Sequence, residues 1–208
     1  MSPGTTLLLA TRSTGKLREL REIVAGSGFN PVSLLDIGIP ESPEEEGIES
    51  HDTFEANALA KARHFNRLTS MPTVADDSGL CVGALGDAPG VWSKRYSGRK
   101  DLSGQGLDDA NNARLIHELA AHSDRSASYA CAAAFVNGAE EHVVIGRTTG
   151  HITVEPLGDE GFGYDPYFFS LELGKTFGQA TVAEKEAVSH RGRAFRALFE
   201  SLRDRPVG

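Results

Sequence analysis

Thr73-Val74-Ala75-Asp76-Asp77-Ser78-Gly79 is the stretch that decides the fold class of this 208-residue chain. Two adjacent carboxylates follow a short β-branched run, and a hydroxyl and a glycine come directly after them. We expect a strand that ends at the acids, with a turn beginning at Ser78. Acids at the mouth of a sheet are where α/β proteins hold a divalent cation and a phosphorylated substrate. The competing interpretation is a pair of solvated turn acids.

The composition describes an ordinary soluble protein, with 39% hydrophobic and 24% charged residues. This length suits one domain over residues 1–208, with a core that can be split into two lobes. A net charge of −8 argues against binding to DNA, RNA or an anionic membrane. Cys81 and Cys131 lack metal-site spacing, so we expect reduced core cysteines in a cytoplasmic protein. No export signal or apolar run of membrane-spanning length is present.

Local patterns predict strand–helix units followed by a hairpin. The predicted elements, in chain order, are a strand at 5–10, a helix after 13–16, a helix from the capping-box spacing at 52–55 to about Leu68, the 73–77 strand, a helix at 108–121, strands at 129–135 and 142–149 around Asn137-Gly138, and a last helix at 189–203. Such a mixture indicates an α/β domain with a mixed sheet.

The segment between the first strand and helix, which we call the phosphate loop, carries Thr11, Arg12, Ser13, Thr14, Gly15 and Lys16. Backbone N–H groups at a helix start bind anions, hydroxyls add donors, and a lysine adds positive charge. It is not a Walker A loop, because Leu17 stands where Ser or Thr would be required. The alternative is a polar helix cap.

An acidic run, Glu44-Glu45-Glu46, lies in the Pro- and Glu-rich segment 40–52. Acidic runs are usually solvated. If this segment folds over Asp76-Asp77, one of its glutamates completes an all-oxygen site suited to Mg²⁺.

Two further constellations lie in the second half of the chain. The first, which we call the aromatic loop, is Gly161-Phe162-Gly163-Tyr164-Asp165-Pro166, where glycines allow close approach and aromatics can stack on a planar base. The second is Lys185 with Ser189-His190-Arg191. Ser189 is a natural N-cap, so the two cations oppose the helix dipole, which indicates a ligand-facing role. The alternatives are an aromatic-capped turn and an exposed basic surface.

These segments together resemble the inosine triphosphate pyrophosphatase family of Ham1/RdgB-like enzymes. The resemblance covers essentially the whole chain in order, through LATRSTGK at 9–16, TFEANALAKA at 53–62, ADDSGL at 75–80, APGVWSKRYSG at 88–98, GFGYDP at 161–166 and EKEAVSHRGRA at 184–194. It implies an elongated, two-lobed α/β fold with a long mixed central sheet flanked by helices and an active-site cleft between the lobes. A homodimer is also implied.

The resemblance further implies Mg²⁺-dependent hydrolysis of non-canonical purine nucleoside triphosphates (dITP or ITP, and XTP) to the monophosphate and pyrophosphate. Asp77 would be the catalytic, metal-linked base. The phosphate loop, chiefly Thr11, Ser13 and Lys16, would hold the triphosphate. The other implied substrate contacts are Ser78, Phe162, Gly163, Tyr164, Asp165, Lys185, His190 and Arg191. Donors from His190 and Arg191 would select a 6-keto oxygen over a 6-amino group; guanine exclusion has no residue-level account.

The chain also departs from the family pattern. Arg12-Ser13 stands where Gly-Asn is common, and Ala56 replaces a glutamate. Residues 48–52 look like an extra segment, so counting back from Gly47 favours Glu44 or Glu45 as the metal ligand beside Asp77. A rival hypothesis is a nucleotide-binding or sensing homologue with weakened turnover.

Overall fold

Alternating apolar residues in the first strands build two separate cores, one on each face of the sheet. In β1 (Thr6–Leu9), Leu7 and Leu9 join one cluster, whereas Leu8 joins the other. This period of two is the pleat of a strand that is buried on both faces. The computed structural model describes residues 4–203.

Seven strands form one mixed sheet in the described part of the chain, in the order β2-β1-β3-β4-β5-β6-β7. Strand β1 pairs in parallel with β2 and β3, and β6 pairs antiparallel with β5 and β7. The remaining strands are β2 (Asn30–Ser33), β3 (Thr73–Val82), β4 (Ser126–Asn137), β5 (Glu140–Ile152), β6 (Phe168–Ser170) and β7 (Lys175–Thr176). The predicted mixed α/β sheet is confirmed, as is the turn between β4 and β5, where Gly138 has a φ of 60°.

Helices flank the sheet. They are α1 (Thr14–Ala25), α2 (Phe54–Thr69), α3 (Gly104–Leu119), α4 (Val182–Val188) and α5 (His190–Arg203). Helices α1 and α5 contribute to the cluster that contains Leu7, and α2 to the cluster that contains Leu8. In the region that the structure describes, no helix has the length and apolar character needed to cross a membrane.

The chain folds as two compact units. Of the described residues, the first contains 4–77, Cys131–Gly146 and 191–203; the second contains Ser78–Ala130 and Arg147–His190. Both predicted core cysteines, Cys81 and Cys131, are free and buried.

Several sequence expectations are wrong in detail. Strand β3 does not end at the acids but continues to Val82, because Leu80 and Val82 are apolar and fully buried. The capping box at 52–55 does not form; instead Thr53 caps α2 by accepting from the Ala56 N–H. A 3₁₀ helix, Pro43–Gly47, lies in the acidic segment, and α3 begins four residues earlier than predicted. Helix α4 was missed, since it is short.

Candidate active site

Asp77 lies in the middle of β3, in the first unit, and is 7% exposed. Its Oδ2 accepts a hydrogen bond from Asn57 Nδ2 of α2 at 2.9 Å. Burial raises the pKa of Asp77, and repulsion from Glu49 adds to the rise, although Lys16 and Lys61 oppose it. A carboxyl group in this environment accepts a proton more readily than an ordinary aspartate.

Glu49 is the acid whose charge acts on Asp77, and it belongs to the segment that looked like an insertion. The Glu49 carboxylate is ion-paired with Lys61 of α2. Burial raises the pKa of Glu49, but Lys61 and Lys16 outweigh that effect and keep Glu49 ionised. Asn57 fixes this segment by bonding both the N–H and the C=O of His51, at 2.9 and 3.1 Å.

Asp76 is fully buried and belongs to a network of fixed charges. Its Oδ2 lies 3.1 Å from Lys16 Nζ and 3.2 Å from both Nε and Nη2 of Arg191. Arg191 also bonds Glu19 of α1. Burial raises the pKa of Asp76, but the two cations more than reverse this and hold the pKa well below its usual range. Asp76 is therefore a permanent anion rather than a proton acceptor.

Arg191 lies in the first turn of α5, as predicted, yet it is 2% exposed and its side chain is bonded to two carboxylates. The two carboxylates thus offset the unfavourable interaction between this cation and the dipole of α5. A contact between Arg191 and a ligand stays a prediction.

The phosphate loop combines a helix cap with a buried lysine. Ser13 caps α1 by accepting from the Lys16 N–H at 3.4 Å, and the Ser13 N–H bonds Thr11 Oγ1 at 3.2 Å. Thr14 is exposed, whereas Gly15 is half-buried. Burial lowers the pKa of Lys16, but the carboxylates of Asp76, Asp77 and Glu49 together outweigh it, so the pKa is raised and the ammonium stays charged. These groups supply donors and a fixed positive charge at a helix start.

Arg12 takes a different role from the rest of the phosphate loop. Its guanidinium forms a bidentate pair with Glu45, at 3.0 and 2.6 Å, and donates to the carbonyl oxygens of Ile39 and Pro40, both at 2.8 Å. Glu45 also completes a capping box with Ser42. Glu44 is exposed. We call this set of bonds, Arg12 to Ile39, Pro40 and Glu45, the Arg12 latch.

The aromatic loop lies in the second unit and is organised by Asp165. Asp165 Oδ2 accepts from the Phe162 N–H at 2.8 Å and from Lys185 Nζ at 2.6 Å. Lys185 Nζ also lies 4.9 Å from the centroid of the Phe162 ring. Gly161 has a φ of 79°, and a side chain there would collide with the Asp165 carboxylate.

The other predicted base contacts also have partners within the second unit. Tyr164 donates its hydroxyl to the Ser93 carbonyl at 2.8 Å, and burial raises its pKa. His190 stacks on Tyr129, with centroids 4.5 Å apart and an interplanar angle of 7°. Ser78 is half-buried on β3.

The carboxylate oxygens of Asp77 and Glu49 are of the ligand type that Mg²⁺ prefers. Mg²⁺ uses one or two carboxylates and completes its shell with water and substrate phosphates, and Asp77 and Glu49 are two such carboxylates. No group of three or more His, Cys, Asp or Glu side chains that could hold a metal occurs within residues 4–203. A metal here would thus rely on the substrate for its remaining ligands.

The model of the Ham1 family matches residues 7–201. The chain belongs to the Ham1 family. It is 46% identical over 200 residues to a dITP/XTP pyrophosphatase of Ralstonia nicotianae, with 95% of this chain and 96% of the relative covered. It is 47% identical over 210 residues to a dITP/XTP pyrophosphatase of Mycobacterium tuberculosis, with 98% of each chain covered. A HAM1 protein from Coxiella burnetii superposes with a TM-score of 0.82 at 33% identity, covering 97% of this chain and all of that one.

In this Ham1 protein, the residues that sequence reasoning missed are mostly partners of the predicted ones: Glu19, Glu49, Asn57, Lys61, Asp108 and Asn112. One signal was available: Asn57 and Lys61 are four apart, on one face of α2. Glu49 carried no such signal.

Proposed function

We propose that this chain hydrolyses non-canonical purine nucleoside triphosphates, dITP or ITP and XTP, to the monophosphate and pyrophosphate in a Mg²⁺-dependent reaction. The relatives with the name dITP/XTP pyrophosphatase support the substrate class. The observation that carries the reaction is Asp77, a buried carboxyl bonded by Asn57, next to Asp76 and its ion-paired Lys16. Phosphoryl substitution needs this combination of a water-orienting acceptor and charge neutralisation.

In the proposed reaction, the Asp77 carboxylate orients a water molecule and accepts its proton as the oxygen attacks the α-phosphorus. The bond to the α–β bridging oxygen breaks, and pyrophosphate leaves with that oxygen. Lys16 and the N–H groups at the start of α1 bind phosphate oxygens. Asp77 and Glu49 would hold Mg²⁺, which supplies neutralisation of phosphate charge when bound. This assignment replaces Glu44 and Glu45, since Glu45 is bonded to Arg12.

Recognition of the base is assigned to the aromatic loop and its neighbours. We propose that Phe162 stacks on the purine and that His190 and Lys185 favour a 6-keto oxygen, with Ser78, Gly163 and Asp165 completing the contacts. The Tyr164 hydroxyl and the Arg191 guanidinium are bonded within the protein, so they serve the site by shaping it.

The rival hypothesis of a binding protein with weakened turnover rested on Arg12-Ser13 and Ala56. Arg12 bonds Glu45, and the Lys16–Asp76 ion pair and the Asn57–Asp77 hydrogen bond are both present, which supports turnover. A cytoplasmic location and a homodimer remain predictions; the free cysteines support a reducing compartment.

The deciding experiment measures products from dITP, XTP, dATP, dGTP and dCTP with Mg²⁺. We expect dIMP and pyrophosphate from dITP, and much slower turnover of dATP. Formation of dIDP and orthophosphate would overturn the proposal, and tight dITP binding without turnover would favour the rival.

A further inference from the structure

Two side chains of α3 bond the backbone of a single residue of the aromatic loop, Gly163. Asp108 Oδ2 accepts from the Gly163 N–H at 2.9 Å, and Asn112 Nδ2 donates to the Gly163 carbonyl at 2.9 Å. Because Asp108 and Asn112 are four residues apart, they lie on one face of the helix. Both backbone polar groups of Gly163 are thus hydrogen-bonded to side chains of α3.

Besides these two bonds, the Asp165 N–H donates across Gly163 to the Phe162 carbonyl at 3.3 Å. The φ of Gly163 is 64°, in the left-handed region, and a Cβ built there would meet nothing within 4 Å. The residue is therefore placed by hydrogen bonds rather than by packing of its own. Asn112 is 5% exposed, and its Oδ1 has no hydrogen-bond partner among the described residues, so its amide is oriented toward Gly163 alone.

Phe162 and Asp165, near Gly163 in the chain, are fixed by further hydrogen bonds. Asp165 bonds both the Phe162 N–H and Lys185, and the Gly178 N–H bonds the Asp165 carbonyl at 2.9 Å. Phe162 precedes Gly163 and Tyr164 follows it, so the bonds at Gly163 and Asp165 fix the backbone that carries both aromatic side chains. Discrimination by hydrogen-bonding groups requires such groups to be held in place, since a mobile loop can adapt to the wrong base.

We infer that Asp108 and Asn112 are positioning residues that set the purine selectivity of the aromatic loop. The inference rests on the proposed function, because it concerns which triphosphate is used. Asp108 and Asn112 act through Gly163 and not on the reacting atoms. Their removal should therefore raise KM for dITP and narrow the preference for dITP over dATP, while kcat changes less.

The test compares four variants by kcat and KM for dITP and dATP. Asp108→Ala and Asn112→Ala each remove one bond to Gly163, and we expect each to narrow the dITP-to-dATP ratio of kcat/KM by about 10-fold. Asp108→Asn keeps an acceptor oxygen and should stay within about 2-fold of wild type. Asp109→Ala is the matched charge control, since Asp109 is exposed on the same helix and bonds Gln105.

Hydrogen exchange at the Gly163 amide, measured without substrate, gives a readout independent of catalysis. Protection should fall in Asp108→Ala and persist in Asp109→Ala. Faster exchange with an unchanged dITP-to-dATP ratio would overturn the inference, as would equal narrowing in Asp109→Ala. Thermal unfolding shows whether each variant is folded. If Asn112→Ala is unfolded, the variants of the half-buried Asp108 provide the test. A wild-type protein that does not hydrolyse dITP would refute the proposed function but would leave the exchange result unaffected.

Discussion

Asp76 and Asp77 are adjacent along β3, yet their side chains lie on opposite faces of the sheet. Asp76 Oδ2 contacts Lys16 and Arg191 on the face of α1 and α5, whereas Asp77 Oδ2 contacts Asn57 of α2. Their pKa values move apart for this reason: the pKa of Asp76 is lowered and that of Asp77 is raised. One carboxylate is suited to fixing charges and the other to handling a proton.

Asp77→Asn should lower turnover of dITP by at least about 10²-fold and raise the melting temperature. The raised pKa of Asp77 means that the folded protein holds the proton more tightly than the unfolded chain does. Ionising Asp77 therefore costs stability as the pH rises above its ordinary value of 3.8. Measured in EDTA, the excess stability of the variant should be present at neutral pH and vanish in acid. An Asp77→Asn protein that is less stable than wild type at pH 7 would contradict this account.

Asp76→Asn should have the opposite effect on stability, although it is the same chemical change one residue away. It leaves Lys16 and Arg191 buried without their shared anion, which should cost about 3–5 kcal/mol of unfolding free energy. The lowered pKa of Asp76 contributes stability above its ordinary value of 3.8, and this is lost as the pH falls toward the folded pKa. Urea unfolding of both asparagine variants measures the difference. Similar midpoints for the two would refute the division of roles.

Arg191→Ala should destabilise the protein by about 3–5 kcal/mol, because it removes the cation that the Asp76 and Glu19 carboxylates share. The unfavourable helix dipole by itself would predict unchanged or raised stability. Arg191→Lys should recover only part of the loss, since one ammonium cannot replace a guanidinium that bonds two carboxylates. Arg18→Ala, at an exposed position on α1, is the control and should change little.

The kinetics of the Arg191 variants separate its two suggested roles. Arg191 and Lys16 both pair with Asp76, and Lys16 is assigned to the phosphates, which dITP and dATP share. We therefore expect kcat/KM to fall equally for dITP and dATP. A loss confined to dITP would restore direct readout of the 6-keto oxygen by Arg191.

The Arg12 latch should appear as a coupling between Arg12 and Glu45 in a double-mutant cycle. We expect Arg12→Ala and Glu45→Ala to be non-additive by about 1 kcal/mol in unfolding free energy, since the pair is bidentate and partly buried. The exposed pair Arg21 and Asp36 is the control, with smaller coupling expected. If Arg12→Ala raised KM for dITP while Glu45→Ala did not, Arg12 would be a direct phosphate ligand instead.

The sequence predicted what local patterns determine. The first strand and helix, the hairpin at Asn137-Gly138 and the start of α5 all follow from short-range periodicity and turn chemistry. The end of β3 was misplaced because Ser78-Gly79 has a turn composition, whereas burial of Leu80 and Val82 keeps the chain extended. Tertiary context overrode local preference there.

Partners of site residues were harder to predict than the residues themselves. That Glu49 rather than Glu45 acts on Asp77 depends on how the 3₁₀ helix Pro43–Gly47 directs the chain, and on the Arg12 latch holding Glu45 elsewhere. That Arg191 is buried against Glu19 depends on a contact across 172 residues of sequence. Neither of these two contacts produces a periodic pattern in the sequence.

The division of the chain into two units has a consequence for genetics. The backbone passes from one unit to the other after Asp77, Ala130, Gly146 and His190, and three of these passages fall inside β3, β4 and β5. No uninterrupted stretch of coding sequence therefore specifies either unit. A nonsense codon at any of the first three passages removes residues of both units, so no such truncated gene product retains either unit whole. A chimera that takes one unit from a relative would have to exchange all of that unit's separate chain segments at once, with every junction matched.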